Sequence, residues 1–291
     1  MRWQGRRQSD NVEDRRGMPA RRLAVGGGLG TVVVLLVVML LGGDPQAVLQ
    51  QMQPPAGGPA ADQAAGPQPV DPAQQPLKEF VSVVLADIED VWNDLFQRQL
   101  GKKYREPKLV LYTDQVESAC GFGSAAMGPF YCPGDEKVYL DLTFCEEMKT
   151  KYRAPGDFAV AYVLAHEVGH HVQKLVGYMD LVDKQRGRVS KAEQNRLSVR
   201  LELQADYLAG VWAHHAQRTK SILEEGDVDE ALGAASAVGD DRLQKQAQGY
   251  IVPDSFTHGT SAQRSKWFRL GLQTGDFERA KDLFELPEEE L

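Results

Sequence analysis

The spacing of apolar positions changes along the chain and predicts which segments are helices and which are strands. Over residues 76–100, apolar side chains recur every three or four positions, as on one face of a helix. Residues 108–114 form a short apolar run that predicts a strand. Residues 129–142 hold two such runs around a Pro-Gly-Asp turn, which predicts a hairpin. This region therefore predicts one helix followed by a small sheet.

Helical spacing dominates the rest of the chain. Residues 157–176 predict a helix that begins near Asp157 and ends at Gly177. Further helices are predicted over three segments: residues 191–217, 228–248 and 261–272. The predicted fold class is α+β, dominated by helices, with the small sheet placed before the helix at 157–176.

A long apolar segment precedes this domain. Residues 23–41 carry no charge and would span roughly 28 Å as a helix, close to the thickness of a hydrocarbon core. We predict one transmembrane helix over residues 23–43, with a cleaved signal peptide as the alternative. Residues 1–22 carry seven arginines and predict a basic cytoplasmic tail. The chain would then be a single-pass protein of the cell membrane, with its N-terminus in the cytoplasm and its domain outside.

The next segment, residues 44–76, is rich in proline, alanine and glycine. Residues 42–76 hold eight of the fifteen prolines and no aromatic residue, so they lack the apolar surface needed for a core. We predict a disordered linker that is dispensable for folding. One extracytoplasmic domain is predicted over residues 77–291, which is long enough to bury a core of its own.

Charge and cysteine content narrow the function. The formal net charge is −8, which argues against nucleic acid as a partner. Cys120 and Cys132 flank a glycine-rich segment and are candidates for a disulfide, as suits an extracytoplasmic domain, with two free thiols as the alternative. Cys145 is interpreted as a buried apolar residue.

The segment VLAHEVGHHVQ, residues 163–173, contains three of the six histidines. His166 and His170 are four positions apart, so on a helix both imidazoles face the same way and can bind one metal ion. Glu167 is turned about 100° from His166 and can reach a water molecule beside the ion. This H-E-x-x-H pattern is typical of zinc metalloproteases. The alternative is a surface helix with incidental histidines.

A third metal ligand is predicted on the next long helix. Glu202 and Asp206 are also four positions apart, in an apolar context where an unpartnered carboxylate is unfavourable. One carboxylate can bind the ion while the other accepts the N–H of a ligand histidine. Solvated charges on an ordinary helix face are the alternative. The ligand set predicts one zinc ion per chain, with mononuclear iron as the other candidate.

Five segments together carry a family resemblance: MRWQGRRQSDNVEDRRG, CGFGSAAMGPFYCPGDEKVYLDL, HEVGHHVQ, NRLSVRLELQAD and FTHGTSAQRSKWF. Over nearly its whole length the chain resembles the bacterial family of YpfJ-like neutral zinc metallopeptidases. Residues 77–291 also resemble the gluzincin class of metalloproteases, which implies a zincin-like fold. The resemblance implies zinc ligands, a general base and an orienting carboxylate: His166, His170 and Glu202; Glu167; and Asp206.

His258 and Arg264 gain a role from the same resemblance. The segment THGTSAQR resembles a T-H-P-x-x-x-x-R pattern of integral-membrane gluzincins, in which the histidine stabilises the transition state. The resemblance implies that His258 is catalytic and that Arg264 holds the loop, although Gly259 replaces the proline. The alternative is an ordinary helix start at Thr257 or Ser261, with His258 idle.

Together these features predict a membrane-anchored zinc metalloendopeptidase that hydrolyses peptide bonds, with protein or peptide substrates and Glu167 as general base. The lipid bilayer is an expected partner through residues 23–43. A substrate strand is expected to pair with the sheet edge near residues 137–141. Two alternatives stay open: a binding or adaptor module with a purely structural zinc site, and a latent protease without constitutive activity.

Overall fold

A small sheet and a larger set of helices form the described part of the chain, which comprises residues 1–18, 69–150 and 154–291 of this computed structural model. The strands are β1 Val12–Asp14, β2 Lys108–Tyr112, β3 Gln115–Ser118, β4 Gly121–Ser124, β5 Phe130–Cys132 and β6 Lys137–Asp141. The helices are α1 Gln75–Leu95, α2 Thr143–Thr150, α3 Asp157–Val176, α4 Tyr178–Asp183, α5 Lys191–Lys220, α6 Asp227–Ala237, α7 Asp240–Gln248, α8 Ser261–Thr274 and α9 Asp282–Glu285. The predicted helix-dominated α+β class is confirmed.

The main sheet has the strand order β1-β2-β6-β5. β2 pairs in parallel with both β1 and β6, whereas β5 and β6 form the antiparallel hairpin that the sequence predicts. The expectation that residues 137–141 form a sheet edge is wrong, because β6 lies between β2 and β5 and pairs with both. The edge strand that packs near α3 is β5.

Successive side chains of β2 point to opposite faces of the sheet, and each face packs into a separate hydrophobic cluster. Leu109 and Leu111 of β2 point into the large core that contains α1, α3 and α5. Val110 and Tyr112, on the opposite face of the same strand, join a smaller cluster with Val116 of β3. Because side chains alternate between faces, one buried strand can serve both clusters. The larger core holds α3, which carries the histidines, against the sheet.

A glycine allows α3 and α5 to pack closely. A Cβ atom placed on Gly169 of α3 would lie 3.1 Å from the carbonyl oxygen of Ala205 on α5. A side chain at this position would therefore press against the α5 backbone. Because glycine has no side chain, the two helices approach closely, and the carboxylates of α5 lie near the histidines of α3.

Two further glycines bring α8 against α5. A Cβ on Gly210 would lie 2.1 Å from the carbonyl oxygen of Phe268, and a Cβ on Gly271 would lie 2.1 Å from that of Tyr207. Real Cβ atoms essentially never come this close, so these positions accept no larger residue without separating the helices. The short distance between α5 and α8 places side chains of α8 within reach of the histidine helix.

The single helix predicted over residues 228–248 is interrupted. It consists of α6 and α7, and the break falls at Val238 and Gly239. Gly239 has an extended backbone with ψ of 138°, and a Cβ there would lie 2.4 Å from the backbone nitrogen of Ser261, where α8 begins. The helix is interrupted where Gly239 packs against the start of α8. Because this contact is tertiary, the spacing of apolar residues within the segment does not predict the break.

The first residues of the chain join the fold. Residues 1–17 and residues 70–291 form one compact unit, and β1 completes one side of the main sheet. For residues 1–17 this differs from the separate tail predicted over residues 1–22. The reason is physical: the charged side chains of this segment find partners on α1 and β6, such as the pair of Arg6 with Asp87. The folded unit also begins earlier than residue 77.

The predicted transmembrane helix over residues 23–43 and the predicted linker up to residue 68 lie outside the described residues. Among the helices of residues 1–18, 69–150 and 154–291, each is too short or too polar to cross a bilayer.

We predict that Ser9→Ala lowers the free energy of unfolding by about 1–3 kcal/mol, because a buried acceptor then loses a donor. The Ser9 hydroxyl donates to Oε1 of Glu89 at 2.5 Å, and both side chains are buried. Urea unfolding of the purified protein measures the change. Asp10→Ala is the matched control at an exposed neighbour and is expected to change stability by less than about 0.5 kcal/mol. Equal effects in the two variants would contradict the prediction.

Candidate metal centre

Three side chains from α3 and α5 converge on one point. Nε2 of His166 lies 3.2 Å from Oε2 of Glu202, and Nε2 of His170 lies 3.5 Å from Oε1 of the same carboxylate. One nitrogen or oxygen atom from each residue lies within 4.8 Å of the other two. The structure thus brings together the three residues that the sequence analysis selected as metal ligands.

This donor set suits zinc. Imidazole nitrogens and carboxylate oxygens bind zinc at about 2.0–2.2 Å, so neighbouring ligand atoms of a tetrahedral site are roughly 3.3 Å apart. The N···O separations of 3.2 and 3.5 Å match that spacing. Two histidines and one carboxylate leave a fourth position for a ligand from outside the protein, an arrangement typical of catalytic zinc sites.

Asp206, one turn after Glu202, orients His166, the first candidate ligand. Its Oδ1 atom lies 2.8 Å from Nδ1 of His166, so Nε2 of that ring remains directed at Glu202. Arg264 on α8 donates to both carboxylate oxygens, from Nε to Oδ2 at 2.8 Å and from Nη2 to Oδ1 at 3.0 Å. The Tyr162 hydroxyl donates to Oδ1 at 2.5 Å. These donors satisfy a carboxylate that is 0% exposed.

Gln173 contacts His170, the second candidate ligand, and was not identified from the sequence. Its Oε1 atom lies 2.8 Å from Nδ1 of His170, and its Nε2 donates to the Leu201 carbonyl at 2.6 Å. Gln173 therefore orients a ligand ring and connects α3 to α5. It lies three positions after His170 on the same helix, so helical spacing was a signal that could have found it. Tyr162, four positions before His166, carried the same signal.

Glu167 is buried and lines the same cleft as the ligands. The backbone N–H of Tyr131, in β5, donates a hydrogen bond to its carboxylate. Burial raises the pKa of Glu167 above its usual range despite the nearby histidines. A carboxylate with a raised pKa accepts protons more readily near neutral pH than an exposed one does.

The charges of the centre favour a cation. Glu167, Glu202 and Asp206 carry three negative charges at the centre, and the guanidinium of Arg264 pairs with Asp206, so the formal excess among these groups is negative. Burial by itself lowers the pKa of His166, but the charge and hydrogen bond of Asp206 outweigh burial and raise it to about 10. A divalent metal ion would offset the same excess of negative charge.

The ligands lie in a cleft of about 570 Å³, within the range of small-molecule and peptide pockets. One wall comes from β5 and the loop before it, and the other comes from α4 and α5. Most of the remaining lining is apolar: Pro129, Phe130, Phe144, Val163, Met179, Val182 and Val238.

His258 lines this cleft from the loop before α8. One residue, Asp240, organises the loop: its Oδ2 accepts the backbone N–H groups of Thr257, His258 and Gly259 at 2.7, 2.6 and 3.1 Å. Its Oδ1 lies 3.3 Å from Nδ1 of the His258 ring. The hydrogen bond to Asp240 raises the pKa of His258 above its usual value. Asp240 was not identified from the sequence, because the contact joins distant segments.

Gly259 has φ of +85°, a left-handed conformation that proline cannot adopt. The loop after His258 therefore differs from that of the T-H-P pattern. α8 begins at Ser261, one of the two starts considered, and its N-cap is Thr260, which forms a capping box with Gln263. His258 thus precedes the cap and takes no part in it.

The other histidines are not at the centre. His171 is fully buried, with Nδ1 3.0 Å from the Tyr131 hydroxyl and Nε2 2.6 Å from the Arg105 carbonyl. His214 and His215 contact backbone carbonyls at the end of α8 and just beyond it. These contacts give all three a packing role.

Cys120 and Cys132 form a disulfide with a Cα–Cα distance of 5.8 Å. The bond anchors the end of β5, the strand whose Tyr131 backbone contacts Glu167. Cys145 is a free thiol and is buried.

Comparison with known proteins identifies the family. The family model described as "Putative neutral zinc metallopeptidase" matches residues 1–283. The chain belongs to this family. Zinc is therefore the metal that the family description implies, and the histidine and carboxylate donors described above fit it.

Two bacterial proteins are similar to much of the chain. The uncharacterized protein YpfJ of Escherichia coli strain K12 is 50% identical over 285 residues, which cover 95% of this chain and 96% of YpfJ. The uncharacterized protein Rv2575 of Mycobacterium tuberculosis strain H37Rv is 42% identical over 201 residues, 65% of this chain and 64% of its own. No solved structure matches the chain.

We predict that Arg264→Ala lowers the free energy of unfolding by about 3–5 kcal/mol, because it leaves the buried Asp206 carboxylate without its cation. Arg269→Ala is the matched control, since Arg269 is an exposed arginine of the same helix. It is expected to change stability by less than about 0.5 kcal/mol. Urea unfolding compares the two variants. A stable Arg264→Ala protein would contradict the role given to this ion pair.

Proposed function

We propose that this member of the zinc metallopeptidase family hydrolyses peptide bonds of protein or peptide substrates at the centre of His166, His170 and Glu202. The observation that carries the proposal is the convergence of these three donors beside the buried Glu167 in an open cleft. Zinc, when bound, would polarise a carbonyl and lower the pKa of water to about 7.

Glu167 is the general base of the proposed reaction. Its carboxylate accepts a proton from the attacking water and then delivers that proton to the leaving amine. The hydrogen bond from the Tyr131 backbone keeps the carboxylate directed into the cleft. The raised pKa supports both halves of this transfer, because the group must take up a proton and release it in each turnover.

His258 is the second catalytic residue of the proposal. Its ring lines the cleft and is held by Asp240 through Nδ1, which leaves Nε2 free to donate toward the substrate. A donor placed where negative charge develops on the carbonyl oxygen stabilises the transition state more than the bound substrate. About half of the His258 side chain is exposed, at 50%, so a substrate can reach it.

We propose that the substrate backbone lies along β5. This strand is the sheet edge, and its Phe130 and Tyr131 line the cleft beside Glu167. An edge strand offers unpaired backbone groups to an extended peptide. The disulfide at Cys132 supports the same strand from its far end.

Two observations weigh against the alternatives. A purely structural zinc site is closed by four protein ligands, whereas the cluster of His166, His170 and Glu202 has three. A purely structural site also has no need of the buried Glu167 carboxylate beside the ion. Latency is a separate question of regulation, and an assay of the purified full chain with peptide substrates addresses it.

Attachment to a lipid bilayer through residues 23–43 stays a prediction, because these residues lie outside the described part of the chain. The topology, with the N-terminus in the cytoplasm and the domain outside, also stays a prediction. That placement requires residues 1–17 to leave the sheet, since they pair with β2 in the folded unit.

We predict that Glu167→Gln keeps zinc and lowers hydrolysis by about 10²–10⁴-fold, because glutamine has the same shape and cannot accept the proton. Metal analysis and a peptide-cleavage assay on the same preparation measure the two properties. Glu193→Gln is the matched control, because the Glu193 side chain is 45% exposed and does not line the cleft. Loss of zinc together with activity would mean that Glu167 is a ligand rather than the base.

We predict that His258→Ala lowers kcat by at least about tenfold, and by as much as 10²–10³-fold, with little change in KM. The reason is that the proposed hydrogen bond forms mainly in the transition state. Zinc content should stay that of the parent protein. His214→Ala is the control, because His214 does not line the cleft and instead contacts the Leu272 carbonyl and the ring of His215. Near-parental turnover in His258→Ala would remove this residue from the catalytic site.

A further inference from the structure

The segment over residues 1–17 takes no part in the proposed chemistry, yet it makes extensive contacts with the domain. Trp3 packs edge-on against Phe80 of α1, with ring centroids 5.5 Å apart. The backbone N–H of Ser9 donates to the carbonyl of Ser82 at 3.0 Å. Leu109 of β2 donates its N–H to the carbonyl of Asn11 at 2.9 Å. The segment therefore lies along α1 before it joins the sheet.

Two buried carboxylates of α1 depend on this segment. Arg6 donates to Oδ1 of Asp87 at 2.5 Å, and Lys220 of α5 shares the same oxygen. Glu89 receives hydrogen bonds at Oε1 from Ser9 at 2.5 Å and from Asn11 at 3.0 Å. Both carboxylates are only 2% exposed.

Such burial is costly for a carboxylate without partners. Within the described part of the chain, the side chains that donate to Glu89 are those of Arg7, Ser9 and Asn11, all of which belong to residues 1–17. Burial of the Glu89 carboxylate on this face of α1 is therefore energetically acceptable only when residues 1–17 are docked and supply its hydrogen bonds. The polar residues of α1 therefore match those of residues 1–17. This match indicates that the segment is an integral part of the folded domain.

Two arginines of this segment pair with carboxylates of α1, and a third pairs within the segment itself. Arg6 pairs with Asp87, Arg7 with Asp90, and Arg16 with Asp14, at distances of 2.5, 2.7 and 2.8 Å. Positively charged residues before an apolar segment predict a cytoplasmic N-terminus when they are free to stay there. Arginines held within the folded domain cannot remain on the opposite side of a membrane from it.

A segment that crosses a bilayer once places its two flanks on opposite sides. Residues 1–17 and residues 70–291, however, belong to one compact unit. The docked state and a single crossing between them therefore exclude each other. We propose that residues 1–17 stay docked in the working protein, so that they and the candidate metal centre lie on the same side of any membrane the protein contacts. This inference does not depend on the proposed peptidase chemistry.

Single cysteines in the full-length chain test the proposal. Gln8→Cys places a thiol on an exposed position of the segment, and Lys103→Cys places one on an exposed position of the domain. The parent protein is the control, since its free thiol is buried and its other two cysteines are bonded. A membrane-impermeant maleimide is applied to spheroplasts of expressing cells, before and after lysis.

We expect the two variants to be labelled in the same preparation: both in intact spheroplasts, or both only after lysis. Either pattern supports the proposal, and the choice between them also locates the domain. Labelling of one cysteine in intact spheroplasts and of the other only after lysis would overturn it.

A second measurement reports docking directly. The Leu109 amide is protected from hydrogen exchange by the Asn11 carbonyl when β1 is paired. In protein kept in native membranes, or in the soluble fraction if it is found there, we expect the Leu109 amide to exchange at least tenfold more slowly than in a variant lacking residues 1–17. If that variant does not fold, Arg6→Glu in the full chain replaces it. Equal exchange in the parent protein and in the comparison variant would show that the segment is not docked and would refute the inference.

Discussion

A single buried carboxylate, that of Asp206, sets the geometry of the centre. A negative charge removed from water must be matched by donors from its surroundings. Its donors come from two helices, Tyr162 and His166 from α3 and Arg264 from α8, so three helices meet at this carboxylate of α5. These donors reach the Asp206 carboxylate only when the three helices are held at fixed distances from one another. The glycines between α3 and α5 and between α5 and α8 set those distances.

Stability and ligand orientation are therefore coupled in this fold. The same oxygen of Asp206 that receives Tyr162 and Arg264 also contacts Nδ1 of His166. A change that moved α8 would alter the charge balance of Asp206 and the direction of the His166 ring together. His170 is held separately, by Gln173, within α3 itself. The two ligand rings are thus positioned by one long-range network and one local contact.

This difference explains which parts of the site the sequence could predict. His166, Glu167 and His170, and the pair Glu202 and Asp206, follow from spacing within single helices, because helical geometry fixes which side chains share a face. Gln173 follows from the same rule and could have been included.

Contacts between segments that are distant in the chain were harder to predict from the sequence. The hydrogen bonds of Asp240 to the His258 loop and the break at Gly239 depend on tertiary packing, which local periodicity does not encode. For β1 the sequence pattern was misleading: three residues flanked by arginines look like a solvated tail, and only the buried Asp87 and Glu89 of α1 show why those charges belong in the fold. The helix-dominated class was predictable because most of the chain has a clear helical period.

The parallel pairing of β1 with β2 also has a consequence for synthesis. Val12 pairs with Leu109, a residue nearly a hundred positions later, so the ribosome releases the first strand well before its partner exists. At about 5–20 residues per second the delay is on the order of five to twenty seconds. The outer edge of β2 then remains open until the N-terminal residues return to it. The arginines and carboxylates around β1 keep this early segment soluble in the interval, as charged residues do on the exposed edges of sheets.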